Sequence, residues 1–215
     1  MNKQRTWIYD LLLIGILLLA AWLRLTGVNW GEGQHQHPDE LFLSSVLDNL
    51  HPKKCLDVTL PIEACPPEQQ RWLGLLDYFN TDTSPLNPHN RGFSFFVYGT
   101  LPLFIVRYTA EFLGKTDPGA LKILGRQFSA LADLGTLLLL YFIVSRLYQR
   151  RLALLATLFS ALAVMQIQQS HFFTTDLFVN LFMFLGIWFA VNIARRPADE
   201  ALLRQNNEPL EGYLL

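Results

Sequence analysis

Charge is what this chain has least of. Lys, Arg, Asp and Glu make up 16% of its 215 residues, against about 25% in soluble domains. The 17 basic and 18 acidic residues nearly cancel, so no global field draws the chain to nucleic acid. There is no Gly-rich phosphate loop, no Cys/His zinc spacing, no internal repeat and no low-complexity tract. P-loop enzymes, zinc modules and solenoids are thereby set aside. Two cysteines are too few for a disulfide-built scaffold. No Asn-x-Ser/Thr sequon is present to report on compartment.

What is abundant is apolar. Hydrophobic residues make up 51% of the chain, with 16 phenylalanines, and they cluster into runs rather than spreading evenly. Runs of this length fit an all-α integral membrane protein: a polytopic helical bundle of about four spans, with outer juxtamembrane amphipathic helices. The first run, Thr6 to Gly27, follows Lys3 and Arg5 and continues into Trp22, Arg24 and Leu25 without a small-residue cleavage pattern. It reads as an uncleaved anchor with a cytoplasmic amino terminus, and Trp30 and Gly31 mark the outer interface. Cleaner spans are expected near 128–145, 152–169 and 175–194. The clusters Arg146, Arg150, Arg151 and Arg195, Arg196 place their loops in the cytoplasm, so the turn at His171 to Asp176 faces outside.

Counting back from Arg146, the stretch 93–113 crosses an even number of times, most simply zero. It is expected as a juxtamembrane helix on the outer face. The rival is a true span with 146–151 outside, against the positive-inside rule. Pro38 to Leu50 reads as a short amphipathic helix lying flat at the interface. Phe42, Leu43, Val46, Leu47 and Leu50 form one face, and Asp39, Glu40, Ser44, Asp48 and Asn49 look elsewhere. Between 51 and 91 runs a long polar loop with Cys55 and Cys65. In an oxidising exterior these would close a small ring contributing about 2–3 kcal/mol. The expected division is a membrane domain over 1–196, with its outer loop at 28–126, then a cytoplasmic loop over 197–215. That loop would lead into a further apolar run opening at Gly212, which suits an amino-terminal fragment of a longer protein.

The polar cluster Gln34 to Glu40 follows the anchor directly. Its plain reading is a helix start, with Pro38 at the first position and two acids in the first turn. Its chemical reading is a general base at an outer interface, since two histidines, an Asp and a Glu crowd one place. Imidazole and carboxylate can also ligate a divalent metal, but no standard ligand spacing is met, so any cofactor stays unassigned. A second polar turn, Ser170 to Asp176, falls on the same side, where Asp176 either caps the next helix or serves a site. Asp133, inside a span, is expected to face the bundle and pair with Arg126 or a polar neighbour. Arg91 and Arg107 flank the surface helix and suit phosphate or lipid headgroups.

Several stretches in this order carry a resemblance: His37-Pro38-Asp39-Glu40 after the anchor; Phe96 to Leu103; Gly125 to Ala130; Arg146-Leu147-Tyr148 before Arg151 to Ala156; and Ser170 to Asp176. Together they resemble the type-C glycosyltransferases, most closely the glycosyltransferase family 39 branch of protein O-mannosyltransferases and lipid A aminoarabinose transferases. The resemblance implies transfer of a sugar from a polyprenyl or dolichyl phosphate to a hydroxyl of a protein, lipid or glycan. Membrane lipids would be the other partner, with no nucleic acid. It also implies an integral protein, here of a bacterial plasma membrane, with its active face outside. Carried over by position, Asp39 is the catalytic base of an inverting displacement. Glu40 orients it or binds the acceptor, and Asp176 is the second acid. Arg91, His37 and His171 are substrate-binding candidates. Rival classes are a membrane transporter and a non-catalytic accessory protein, but transporters favour ionisable groups mid-span, whereas here they gather at outer loops.

Overall fold

The computed structural model describes residues 6–31, 36–57 and 62–205. Its elements are α1 (Thr6–Leu25), α2 (Pro38–Asn49), β1 (Lys53–Cys55), β2 (Gln70–Trp72), α3 (Leu75–Phe79), α4 (Leu101–Leu113), α5 (Pro118–Leu147), α6 (Arg150–Ala161), α7 (Val164–Ser170) and α8 (Asp176–Gln205). The protein is an all-α membrane protein, with one small hairpin among the described residues. Among the described residues, three helices are long and apolar enough to cross a membrane: α1, α5 and the 176–196 part of α8. The pair α6 and α7, bent by 60°, is a fourth candidate if it counts as one broken span. Within the described residues the chain forms two compact units, one of 6–23, 132–167 and 179–205, the other of 24–131 and 168–178.

In the first unit α1 packs antiparallel to α5. Tyr9 and Leu13 meet Tyr141 and Val144, while Leu17 and Ala20 meet Leu134 and Leu137. Helix α6 joins through Ala153, Leu154 and Ala161. Arg150 Nη1 lies 3.2 Å from Asp10 Oδ1, and Arg151 Nε donates to the Tyr9 hydroxyl at 3.1 Å. The first turns of α1 and the turn between α5 and α6 therefore share one end. Asp133 is buried, as expected of a bundle-facing residue. At Gly135 an added Cβ would stand 2.8 Å from Leu181 Cδ1, so α8 approaches α5 closely there. Leu11, Leu18, Trp22, Phe159 and Ile193 stay exposed, apolar surface that lipid rather than water would solvate.

The second unit is built on α2. Leu43, Val46, Leu47 and Leu50 are fully buried, and α2 packs on α4 and on the 3-10 turn Pro88–Arg91. The expected membrane-facing helix is thus covered by protein, because α4 supplies a matching apolar face of Leu103, Val106 and Ala110. Helix α4 has 13 residues, about 20 Å at 1.5 Å per residue, too short for a span. It begins at Leu101 rather than near 93: Gly92 adopts φ +90° and ends the preceding turn, and Pro102 suits a first-turn position. Pro102 and Arg107 are tolerated by burial in protein. Strands β1 and β2 pair antiparallel, Lys53 opposite Trp72 and Cys55 opposite Gln70, and a Cys55–Cys65 disulfide closes the loop between them.

Helix ends extend beyond the expected spans. Helix α5 starts at Pro118, ten residues before Phe128, because Asp117 Oδ1 accepts from Ala120 N at 2.9 Å and fixes the first turn. Its early polar residues Lys122, Arg126 and Ser129 are buried in protein, which hydropathy alone does not register. Helix α8 runs on through Gln205, past the point where a loop was expected. The stretch 206–215, read as opening another run, lies outside the described residues.

Candidate active site

His37 caps α2. Its Nδ1 accepts from Asp39 N at 3.2 Å, Pro38 opens the helix, and Asp39 and Glu40 fill the first turn. The helix-start grammar is therefore real, and it fixes the two acids in different directions. Consecutive helical residues are turned about 100° apart, so Asp39 stays half-buried at the surface while Glu40 is fully buried.

Glu40, expected to orient Asp39 or bind the acceptor, is buried inside the protein. It stands on the face of Leu43, Leu47 and Leu50, a spacing of three, seven and ten residues visible in the sequence. Its two oxygens take a fork from Arg126, Nε to Oε1 at 2.7 Å and Nη2 to Oε2 at 2.7 Å, and Oε1 also accepts from Phe173 N at 2.9 Å. Both oxygens are engaged inside the protein. Arg126, fully buried, donates through Nη1 to Val28 O at 2.9 Å and Trp30 O at 3.1 Å. Its ion pair is with Glu40. Trp30 Nε1 in turn donates to His171 O at 3.1 Å. One ion pair thus ties the chain after α1, the start of α2, the start of α5 and the turn before α8.

Asp39 faces the other way and receives the Tyr98 hydroxyl at 3.0 Å. Tyr98 is delivered by aromatic packing: Phe42 on α2 lies 5.9 Å from Phe93, 6.4 Å from Phe96 and 5.8 Å from Tyr98, centroid to centroid. Burial, then the Asp39 hydrogen bond and the charges of Asp39 and Asp176, push the Tyr98 phenol above its ordinary range. It remains a protonated donor through neutral pH. Asp176 is exposed at the start of α8 and accepts from Gln169 Nε2 at 3.2 Å.

The remaining candidates are placed as follows. The His37 ring lies 4.9 Å from the Phe172 ring. His171 has Nε2 2.9 Å from Thr26 O, the geometry of an Nε2–H donor. Both histidines border the site and hold its backbone. Arg91 Nε donates to Asn49 O at 2.7 Å, at the far end of α2. That end lies ten residues from Asp39, about 15 Å along the helix, so Arg91 is not gathered with the acids. His35 lies outside the described residues. Among the described residues, no three His, Cys, Asp or Glu side chains form a metal-binding group. Tyr98 and Arg126 were not singled out as site residues from sequence. Arg126 had a signal: an arginine entering an apolar run needs an acid, and Glu40 lies on a buried face. Tyr98 had none, since its contact spans 59 residues.

No curated protein and no solved structure shows a significant match to the chain. Residues 103–203 match the family model of dolichyl-phosphate-mannose-protein mannosyltransferase. That stretch takes in most of α4 and runs through α5 to α8. With the all-α membrane fold and the acids on one unit, this match supports a glycosyltransferase family 39-like membrane glycosyltransferase.

Proposed function

We infer that the chain transfers a sugar, a mannose in the first instance, from a polyprenyl- or dolichyl-phosphate donor to an acceptor hydroxyl at the outer membrane face. The observation that carries this is the division of labour between neighbours. Glu40 is locked into Arg126, while Asp39 keeps an accessible carboxylate oriented by Tyr98. Asp39 takes the acceptor proton as the acceptor oxygen bonds to the anomeric carbon. The bond from that carbon to the phosphate oxygen breaks, and lipid monophosphate leaves with the electron pair. One displacement inverts the anomeric centre. Asp176, exposed at the start of α8 in the same compact unit, positions the substrate.

The topology behind this reading has four crossings, with α6 and α7 as one broken span, the amino terminus inside and the acids outside. It is supported by the basic clusters and by the folding of 37–40 and 168–178 into one unit. Fixed positive charge would help the leaving phosphate. Arg91 remains the sequence-based candidate, and its distance along α2 argues against direct contact at the reacting centre.

The test is the anomeric configuration of the product, read by NMR after incubating membranes of expressing cells with polyprenyl-phosphate mannose of known configuration. Inversion is expected. Retention would overturn the single displacement, and solute movement without sugar transfer would favour a transporter.

A further inference from the structure

We propose that the cleft between the disulfide-closed hairpin and α4 is a separate oxyanion-binding site, taking a phosphate or carboxylate group. The cleft encloses about 310 Å³ and is lined by His51, Lys53, Gln70, Arg107, Glu111 and Thr116 among others. Its wall is a built structure. Gln70 Nε2 donates to Cys65 O at 3.0 Å, and the disulfide and strand pairing fix Lys53 and Gln70 on one side. Arg107 is 4% exposed. Its Nη1 lies 3.4 Å from Leu47 O, its Nη2 bonds Glu111 Oε1 at 2.9 Å, and Nη2 stands 3.5 Å from His51 Nδ1. The buried Nε finds no hydrogen-bond partner, a costly state for a charged donor. Lys53 Nζ reaches the other oxygen, Glu111 Oε2, at 3.1 Å. Two cations thus share one carboxylate, and the lining carries a net positive charge with a buried N–H to spare. An oxyanion would balance both.

The site is distinct from the reaction centre. Leu47, which Arg107 holds, is eight residues from Asp39 along α2, about 12 Å.

The experiment is calorimetric titration of inorganic phosphate into the chain in phosphatidylcholine nanodiscs at low salt. Wild type is compared with Lys53→Met, Glu111→Gln, Asp39→Asn and Arg91→Met, and helical content is checked by circular dichroism. Saturable binding is expected, weakened about fivefold or more in Lys53→Met, strengthened about threefold in Glu111→Gln, and retained in the other two. The opposite signs are diagnostic, because a merely structural cluster would give no binding. Loss of phosphate binding in phosphatidylglycerol nanodiscs would identify a lipid headgroup as the source of the anion, and its persistence a soluble one. Absence of saturable binding, indifference to both charge changes, or loss in Asp39→Asn would overturn the proposal.

Discussion

Asp39 and Glu40 are chemically near-identical neighbours, and helix geometry gives them opposite work. Glu40 is a buried ion bound by three donor groups. Replacing it with Gln leaves Arg126 buried without its counter-charge, which costs about 3–5 kcal/mol. Glu40→Gln should therefore lower the thermal midpoint and the folded yield, measured by fluorescence-detected size exclusion during heating. An unchanged midpoint would remove the clamp. Tyr98 acts through Asp39. Tyr98→Phe keeps the aromatic packing and removes one hydrogen bond, so kcat should fall about tenfold with KM little changed. The sign of its pH dependence follows from the raised phenol. The bond it donates is fully present below the ordinary tyrosine range and is lost only as pH rises through the raised value. Any rate change between neutrality and mild alkali should then look the same in wild type and Tyr98→Phe.

At the scale of elements, α5 depends on a glycine. A Cβ at Gly125 would stand 2.5 Å from Phe173 Cγ, one residue from Arg126 and beside the amide that Glu40 holds. Gly125→Ala should destabilise by about 1–3 kcal/mol through overpacking, and it should cut transfer activity by shifting the turn before α8. Thermal midpoint and activity measured together test this, and a variant as stable and active as wild type would contradict it. This element also shows what could be read beforehand. The membrane class, the short non-spanning stretch near 93–113 and three of the crossing regions follow from run lengths and basic clusters. The buried side of α2 was half legible: its apolar spacing gave the face, but Glu40 was set apart because acids are assumed to seek water. The start of α5 was missed for the same reason, since buried Lys122 and Arg126 look like loop residues to a hydropathy count. Tyr98 depends on a fold-dependent meeting between 93–98 and α2, and no local pattern encodes that.

For the whole molecule, sidedness joins the fold to the chemistry. The four-crossing reading puts residues near Lys115 outside and Arg150 inside. Single cysteines at these positions, in a background with Cys55 and Cys65 replaced, should react with a membrane-impermeant maleimide in intact cells at 115 and only after lysis at 150. Labelling at 150 in intact cells would reverse the count. The central claim is that Asp39 is the base of a lipid-linked sugar transfer. Its most direct measurement is transfer from polyprenyl-phosphate mannose in membranes carrying the wild-type or Asp39→Asn gene product, with equal insertion verified. The account predicts a loss of at least about a hundredfold in Asp39→Asn. Equal transfer by the two would contradict it.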